Sequence, residues 1–352
     1  MIYGIIGAGS FGIALANVIA EKTKVLVFTR RPDVATNIKT LRRNRNQNVH
    51  ENIEATLDIE RFCGECNLIF PVVPSSDFRN VMRLAAPHLK PYHQLIHGTK
   101  GLQVELPNQQ KWDGNSAIKK DYIKTMSQII LEETNVLRVG CLSGPNLALE
   151  MAQKHPCATV IASKFDSVID AGYEALHSHR FRVYRSHDIF SVELAGVFKN
   201  IMAIAAGISA GLDFGENAKA MLITRGFREI IHLAKTLGAN PNAFLGVAGI
   251  GDLIATCSSN LSRNFSVGQR LAKGETINDI KNTMTETVEG INTTLLAHAL
   301  AKQYRLQLPI TTALTRLFQN ECDVPTALNE LLQHPNDEDV DFLATPTSSA
   351  AN

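Results

Sequence analysis

The first half of the chain alternates short apolar, β-branched runs with stretches of helical periodicity. The runs are Ile2–Ile6, Val25–Phe28, Leu68–Val73, Gln94–His97, Val136–Cys141, Thr159–Ala162 and Arg182–Tyr184. Most read as buried, as strands covered on both faces do. Helical patterns separate the early runs. This order predicts an α/β fold: a mainly parallel, doubly wound sheet with helices on both faces. After Ser186 the β-branched alternation stops. Ile189–Ala210, Glu216–Leu237, Asn240–Thr256, Asn264–Lys273, Ile291–Tyr304 and Pro309–Phe318 carry helical spacing, which predicts an all-α C-terminal domain. The expected division is 1–188, 189–333 and a tail, 334–352. The tail is acidic, then rich in small residues, and is expected to fray. Gln103–Asn115, with Pro107 and Asp113-Gly114 as turn signals, reads as a surface loop.

One motif gives the first half a purpose. Gly7-Ala8-Gly9-Ser10-Phe11-Gly12 follows the first apolar run directly and opens an amphipathic stretch, with a second run at Lys24–Phe28. A G-x-G-x-x-G in a βαβ context is a dinucleotide cradle of the Rossmann type. Gly7 permits the turn, Gly9 lets a pyrophosphate approach the backbone, and Gly12 lets helix and strand pack. Amides at the helix start favour the phosphate charge. The acid that usually ends the second strand of an NAD site is missing. The chain reads Thr29-Arg30-Arg31-Pro32 there. Arginine pairs with a 2′-phosphate, which favours NADP(H) and admits NAD(H). Alternatively, both arginines begin a solvated basic face running on through Arg42, Arg43 and Arg45.

Composition narrows the classes. The chain has 352 residues, a net charge of +1, 45% hydrophobic and 20% charged residues. That is a globular mixture with no bulk basic field, so nucleic acid is not the expected partner. No uninterrupted apolar run reaches membrane-spanning length. The N-terminal segment does not read as a signal peptide, and a cytoplasmic location is expected. Six cysteines are too sparse for a disulfide scaffold. Cys63-Gly-Glu-Cys66 is expected to be a pair of reduced thiols on a surface loop. Eleven histidines show no ligand spacing, so no metal is expected.

The helical half carries its own candidate chemistry. Lys199 shares a helix face with Ala195, Gly196, Ala203, Ala206 and Ala210. A lysine among small residues can be desolvated, with a lowered pKa that suits a general acid or base. It can equally snorkel out of a packed helix pair. Downstream, a glycine-punctuated segment bears one acid, Asp252, a site residue or a helix cap. Ser262-Arg263-Asn264 then opens a helical stretch, as an anion site or as simple capping by Ser262. The cradle, the lysine and the triplet together suggest a dehydrogenase acting on a small phosphorylated carbonyl compound.

These residues belong to longer stretches. GAGSFG (7–12), VVPSSDFR (72–79), GTKGL (98–102), LSGPNLALE (142–150), VELAGVFKNIMAIAAGISAGLDFGENAKAMLITRG (192–226), GVAGIGDLIATCSSNLSRNFSVG (246–268) and VEGINT (288–293) resemble, in order, the bacterial-type NAD(P)-dependent glycerol-3-phosphate dehydrogenases, from Met1 to about Leu332. The resemblance implies reversible hydride transfer between NAD(P)H and C2 of dihydroxyacetone phosphate, giving sn-glycerol 3-phosphate for phospholipid synthesis. It implies Lys199 as proton donor and acceptor, with Lys100 near the oxyanion and Asp252 holding Lys199. Ser262, Arg263 and Asn264 would grip the substrate phosphate, and Gly144 and Asn146 would line the pocket. Ser10, Phe11, Arg30 or Arg31, Lys100, Ala148, Arg263, Thr287 and Glu289 would complete the cofactor site. Asn146 departs from the family's usual Ser or Thr, Phe11 from its frequent Trp.

Two other readings compete: a hydroxyacid or ketopantoate-type dehydrogenase, which has no need of a phosphate grip, and a non-catalytic NADPH sensor, which has no need of Lys199, Lys100 and Asp252 together. A homodimer is suggested by the small-residue helices of the second half.

Overall fold

The structure is a computed structural model describing residues 2–284 and 288–333. The expected tail 334–352 and Thr287 lie outside the described residues.

Eight strands form one sheet: β1 (Ile2–Ile6), β2 (Lys24–Phe28), β3 (Ile53–Thr56), β4 (Cys66–Pro71), β5 (Gln94–His97), β6 (Arg138–Ser143), β7 (Cys157–Ser163) and β8 (Phe181–Ser186). Their spatial order is β8-β7-β6-β5-β4-β1-β2-β3. Every pair is parallel except β6 with β7. The expected runs map onto seven of these strands. The eighth, Ile53-Glu54-Ala55-Thr56, is an edge strand with polar residues in it and carries little apolar signal. Strand order reverses between β1 and β4. Ligands of open α/β sheets bind in the crevice beyond the carboxyl ends of strands at such a point.

After Ser186 the described elements are helical: α2 (Ile189–Gly211), α3 (Glu216–Leu237), α4 (Asp252–Cys257), α5 (Arg263–Ala272), a short helix Ile277–Thr283, α6 (Glu289–Tyr304), α7 (Pro309–Phe318) and α8 (Val324–Gln333); α1 (Ser10–Ala20) precedes them in the first half. The expected helix over Asn240–Thr256 is broken into a 3-10 turn at Pro241–Leu245, a π turn at Val247–Gly251, and α4. Glycine makes this break possible. A Cβ on Gly249 would lie 2.0 Å from the Phe244 carbonyl oxygen.

Helix α2 is the axis of the helical half, buried from Ser191 to Ser209. It is long and apolar enough to span a bilayer, and 89% of its apolar window is buried inside the protein. Its small residues serve close packing within the chain. Gly207 faces the Phe265 carbonyl and Gly268 of α5 faces the Ile204 carbonyl, each with no room for a Cβ. The small-residue pattern that suggested a homodimer is therefore taken up inside one protomer.

Two local readings change. Cys63 and Cys66 are core residues, not surface thiols. Cys63 lies in helix Ile59–Glu65 and Cys66 opens β4, and burial pushes both thiols up to about 12. The expected loop from Gln103 begins inside a hairpin, Leu102–Val104 with Ile123–Thr125. Leu106 and Trp112 pack on the helical core, so this excursion of the first half is anchored to the second.

Candidate active site

The glycine loop lies at the switch point. The Gly7 amide donates to Phe28 O of β2 (3.1 Å), and the Val72 amide beyond β4 donates to Ile6 O (2.8 Å). Gly7 has φ +116°, which only glycine adopts freely. A Cβ on Gly12 would lie 2.0 Å from Gly7 O, whereas one on Gly9 would meet nothing within 4 Å. Gly9 therefore faces open space. It also caps α1 without any side-chain hydrogen bond, and a helix start of this kind favours an anion. These features fit a dinucleotide pyrophosphate. The Phe11 ring lies so close to Gly98 that a Cβ there would be 2.9 Å from it. Ala148 opens a short helix and packs with Ala8 and Phe11 against the same core.

Arg30 and Arg31 stand beyond the end of β2, as their position in sequence requires. Both guanidinium groups meet carboxylates: Arg30 pairs with Asp77, and Arg31 with Asp33 at 2.6 Å. The rest of the expected basic face divides into separate roles. Arg42 turns inward and donates to the carbonyls of Ile53 (2.9 Å) and His50. Arg45, at a positive φ in the turn of a small hairpin (Arg43–Asn44 with Gln47–Asn48), donates to Ser10 Oγ (3.2 Å). In the same hairpin Asn44 donates to Ala8 O (2.7 Å) and Gln47 to Ser10 O (2.9 Å). This clamp satisfies two carbonyls of the glycine loop, those of Ala8 and Ser10. Sequence reasoning missed it because a polar run such as RNRNQN has no periodicity.

Opposite the loop is the lysine. Lys199 is 6% exposed and Asp252 2%. Lys199 Nζ donates to Asp252 Oδ1 and to Thr256 Oγ1. The other oxygen of Asp252 accepts from Lys100 Nζ at 2.5 Å, and Lys100 also donates to Gly144 O (3.2 Å). The sheet half and the helical half thus meet on one carboxylate. Burial lowers the Lys199 pKa to about 8, helped by the Lys100 charge and opposed by Asp252. Snorkelling is excluded by this burial. Asp252 is the first residue of α4 behind Gly251, so it serves the lysines and not a helix end. Thr256 lies one turn further along the same helix face.

Two further contacts join the halves beside the lysines. Glu193, two turns before Lys199 on α2, accepts from the Ser127 amide (3.0 Å) and hydroxyl. His97 Nε2, three residues before Lys100, lies 2.9 Å from its Oε1. Burial alone would push this carboxyl up; His97 and the Ser127 donors outweigh it and hold it below its ordinary range.

The triplet divides its labour. Ser262 Oγ caps α5 by accepting from the Phe265 amide (3.3 Å), the bland alternative noted above. Arg263 opens the helix and is exposed. Asn264 joins helices: its amide donates to Asn200 Oδ1 (2.9 Å), and its Oδ1 accepts from the Gly290 amide (3.0 Å). Glu289 reaches the cleft but is engaged there, accepting from the Ser75 amide (3.0 Å) and hydroxyl (2.5 Å). Asn146 is turned to β7, its amide 3.0 Å from Thr159 Oγ1. Thr287, expected at the cofactor, lies outside the described residues.

A dinucleotide cradle facing a buried, carboxylate-held lysine across two halves defines an NAD(P)-dependent dehydrogenase. The chain belongs to the NAD-dependent glycerol-3-phosphate dehydrogenase family: residues 3–168 match its N-terminal part and residues 188–329 its C-terminal part. It is 38% identical to the NAD(P)+ glycerol-3-phosphate dehydrogenase of Pseudomonas aeruginosa strain LESB58 over 348 residues, 97% of each chain. Its relative from Azotobacter vinelandii is 38% identical over 346 residues, also 97% of each. The crystal structure of glycerol-3-phosphate dehydrogenase from Coxiella burnetii superposes with a TM-score of 0.83 at 33% identity, covering 95% of this chain and 99% of that one. A ketopantoate reductase from Ralstonia eutropha shares the fold at TM-score 0.56 and 16% identity, covering 91% and 99%. The fold alone therefore does not separate the two readings; the family match does.

Proposed function

We propose that this protein interconverts dihydroxyacetone phosphate and sn-glycerol 3-phosphate, using Lys199 as the proton donor and acceptor at the C2 oxygen. One observation carries the assignment: Lys199 and Lys100, from the two halves, converge on the buried Asp252 carboxylate. When bound, the nicotinamide exchanges hydride with C2. In ketone reduction, Lys199 donates its proton to the developing alkoxide, and a group with a pKa of about 8 does this readily near neutral pH. Lys100 adds positive charge beside that oxygen. Asp252 orients both ammonium groups, and Thr256 fixes the Lys199 rotamer. In oxidation, neutral Lys199 takes the alcohol proton.

The substrate phosphate is assigned to the start of α5, with Arg263 as its charged partner and the helix amides as donors. Asn264, committed to Asn200 and Gly290, shapes this site and supports α2 beneath Lys199. On this reading residues 1–188 hold the cofactor and 189–333 the substrate. Arg30 and Arg31 would hold the cofactor's 2′-phosphate in place of their present partners Asp77 and Asp33. NADPH is accordingly favoured and NADH accepted.

The test is purified protein with dihydroxyacetone phosphate and either reduced cofactor, followed at the nicotinamide absorbance. Lys199→Ala is expected to lower kcat by about 10²–10⁴-fold, with NADPH binding, read by fluorescence, largely retained. Unchanged turnover would remove Lys199 from the chemistry.

A further inference from the structure

Ser75 is a joint between three segments. It is buried and opens the helix Ser75–Ala85, just beyond the carboxyl end of β4 where the sheet's crevice lies. Its amide (3.0 Å) and hydroxyl (2.5 Å) donate to Glu289, the first residue of α6 in the helical half. Gly101, next to Lys100, lies against it. A Cβ on Gly101 would stand 2.3 Å from Ser75 Cβ and 3.1 Å from Glu289 Oε2. The Ser75 carbonyl accepts from Gln103 Nε2 at 3.0 Å.

Gln103 is itself fixed. Arg79 Nε, which can only donate, meets Gln103 Oε1 at 3.1 Å. That settles the amide, with oxygen towards Arg79 and nitrogen towards Ser75. Arg79 is held in turn by carboxylates on its two terminal nitrogens: Glu105 (2.5 Å) and Glu132 (2.9 Å) on one, Glu133 on the other. An ion cluster beside the hairpin is thereby joined, through one neutral amide, to the contact between the halves. The place suits an amide. A carboxylate would satisfy Arg79 but turn an acceptor onto the Ser75 carbonyl. Leucine would fill the space and remove both hydrogen bonds.

We propose that Gln103 is a positioning residue for the cofactor: it holds Ser75 where Glu289 accepts from it, and so keeps the halves joined beside the cleft in which the dinucleotide binds. The proposal rests on the reading above that NADPH occupies this cleft. Gln103 acts through Ser75 and Glu289, and its effect must vanish when that path is cut.

The test follows NADPH binding by fluorescence in the unaltered protein and in Gln103→Leu, Gln103→Glu, Glu289→Ala, the double variant Gln103→Leu with Glu289→Ala, and Lys124→Met. Each Gln103 variant is expected to weaken NADPH about three- to tenfold, the loss of one hydrogen bond. KM for NADPH should rise with it, while kcat at saturating cofactor changes by less than about twofold. Added to Glu289→Ala, Gln103→Leu should weaken binding by less than about twofold more. Lys124 is the control. It is the cross-strand neighbour of Gln103 and pairs with Glu132 at 2.6 Å. Lys124→Met disturbs the same hairpin and leaves Ser75 alone, so NADPH affinity should hold. Unchanged affinity in Gln103→Leu overturns the proposal; should that variant not fold, Gln103→Glu makes the same comparison. Full additivity with Glu289→Ala overturns it too, as does an equal loss in Lys124→Met, since either would make the hairpin's stability the cause. If the unaltered protein binds NADPH but does not reduce dihydroxyacetone phosphate, the functional reading falls and the binding series still decides Gln103. Absence of NADPH binding overturns both.

Discussion

Lys199 is a cation in a helix whose neighbours are almost all apolar, and two opposing effects set its proton affinity. Burial pushes the pKa down; the Asp252 carboxylate pulls it back; about 8 is the result. The sign of the pH dependence follows. Ketone reduction needs the ammonium, so its rate should fall as pH rises through about 8, while alcohol oxidation should rise through the same range. Asp252→Asn removes the pull, so this limb should move to lower pH and turnover should drop; pH profiles of kcat/KM in both directions check it. At the other end of the cleft, Arg30→Ala with Arg31→Ala should weaken NADPH much more than NADH in a fluorescence titration. Equal loss for both would place the arginines away from the 2′-phosphate. Lys199 and Asp252 were legible as residue types in an unusual setting. The part of Thr256, which touches both, was not, because no pattern in sequence says which side of a helix will face which partner.

At the scale of elements, long periodic segments declared themselves and polar or glycine-broken ones did not. Helices α3 and α7 follow the sequence periodicity end to end. The Asn240–Thr256 segment does not, because Gly246, Gly249 and Gly251 let the backbone wind and unwind within a few residues, and the apolar pattern is blind to that. Glycine also decides how closely α2 and α5 approach. Gly268→Ala would place a methyl 2.0 Å from Ile204 O, forcing the helices apart. A cost of about 1–3 kcal/mol or more is expected, read by urea unfolding, together with a lower kcat because α2 bears Lys199. Gly64→Ala is the control. A Cβ there meets nothing within 4 Å, and the change should be neutral or stabilise by about 0.4–1 kcal/mol.

At the scale of the molecule, the cleft depends on contacts between halves: Lys100 with Asp252, His97 with Glu193, and Ser75 with Glu289. Glu289→Ala strips the Ser75 amide of its acceptor. Stability should fall by about 1–3 kcal/mol and the KM for NADPH should rise, whereas Glu289→Gln, keeping an acceptor, should retain most of both. Unfolding titrations beside cofactor kinetics check this. The sequence by itself determined seven of the eight strands, the glycine cradle and the candidate lysine, because local periodicity and a backbone without Cβ act over a few residues. Only the tertiary structure decided that one carboxylate would serve two lysines 99 residues apart in the chain (Lys100 and Lys199), that Glu289 would accept from Ser75 of the other half, and that a basic run would split between a structural arginine and a clamp on the loop. Those outcomes follow from where whole elements come to rest, and burial leaves a charge no choice but the partner that packing brings within reach.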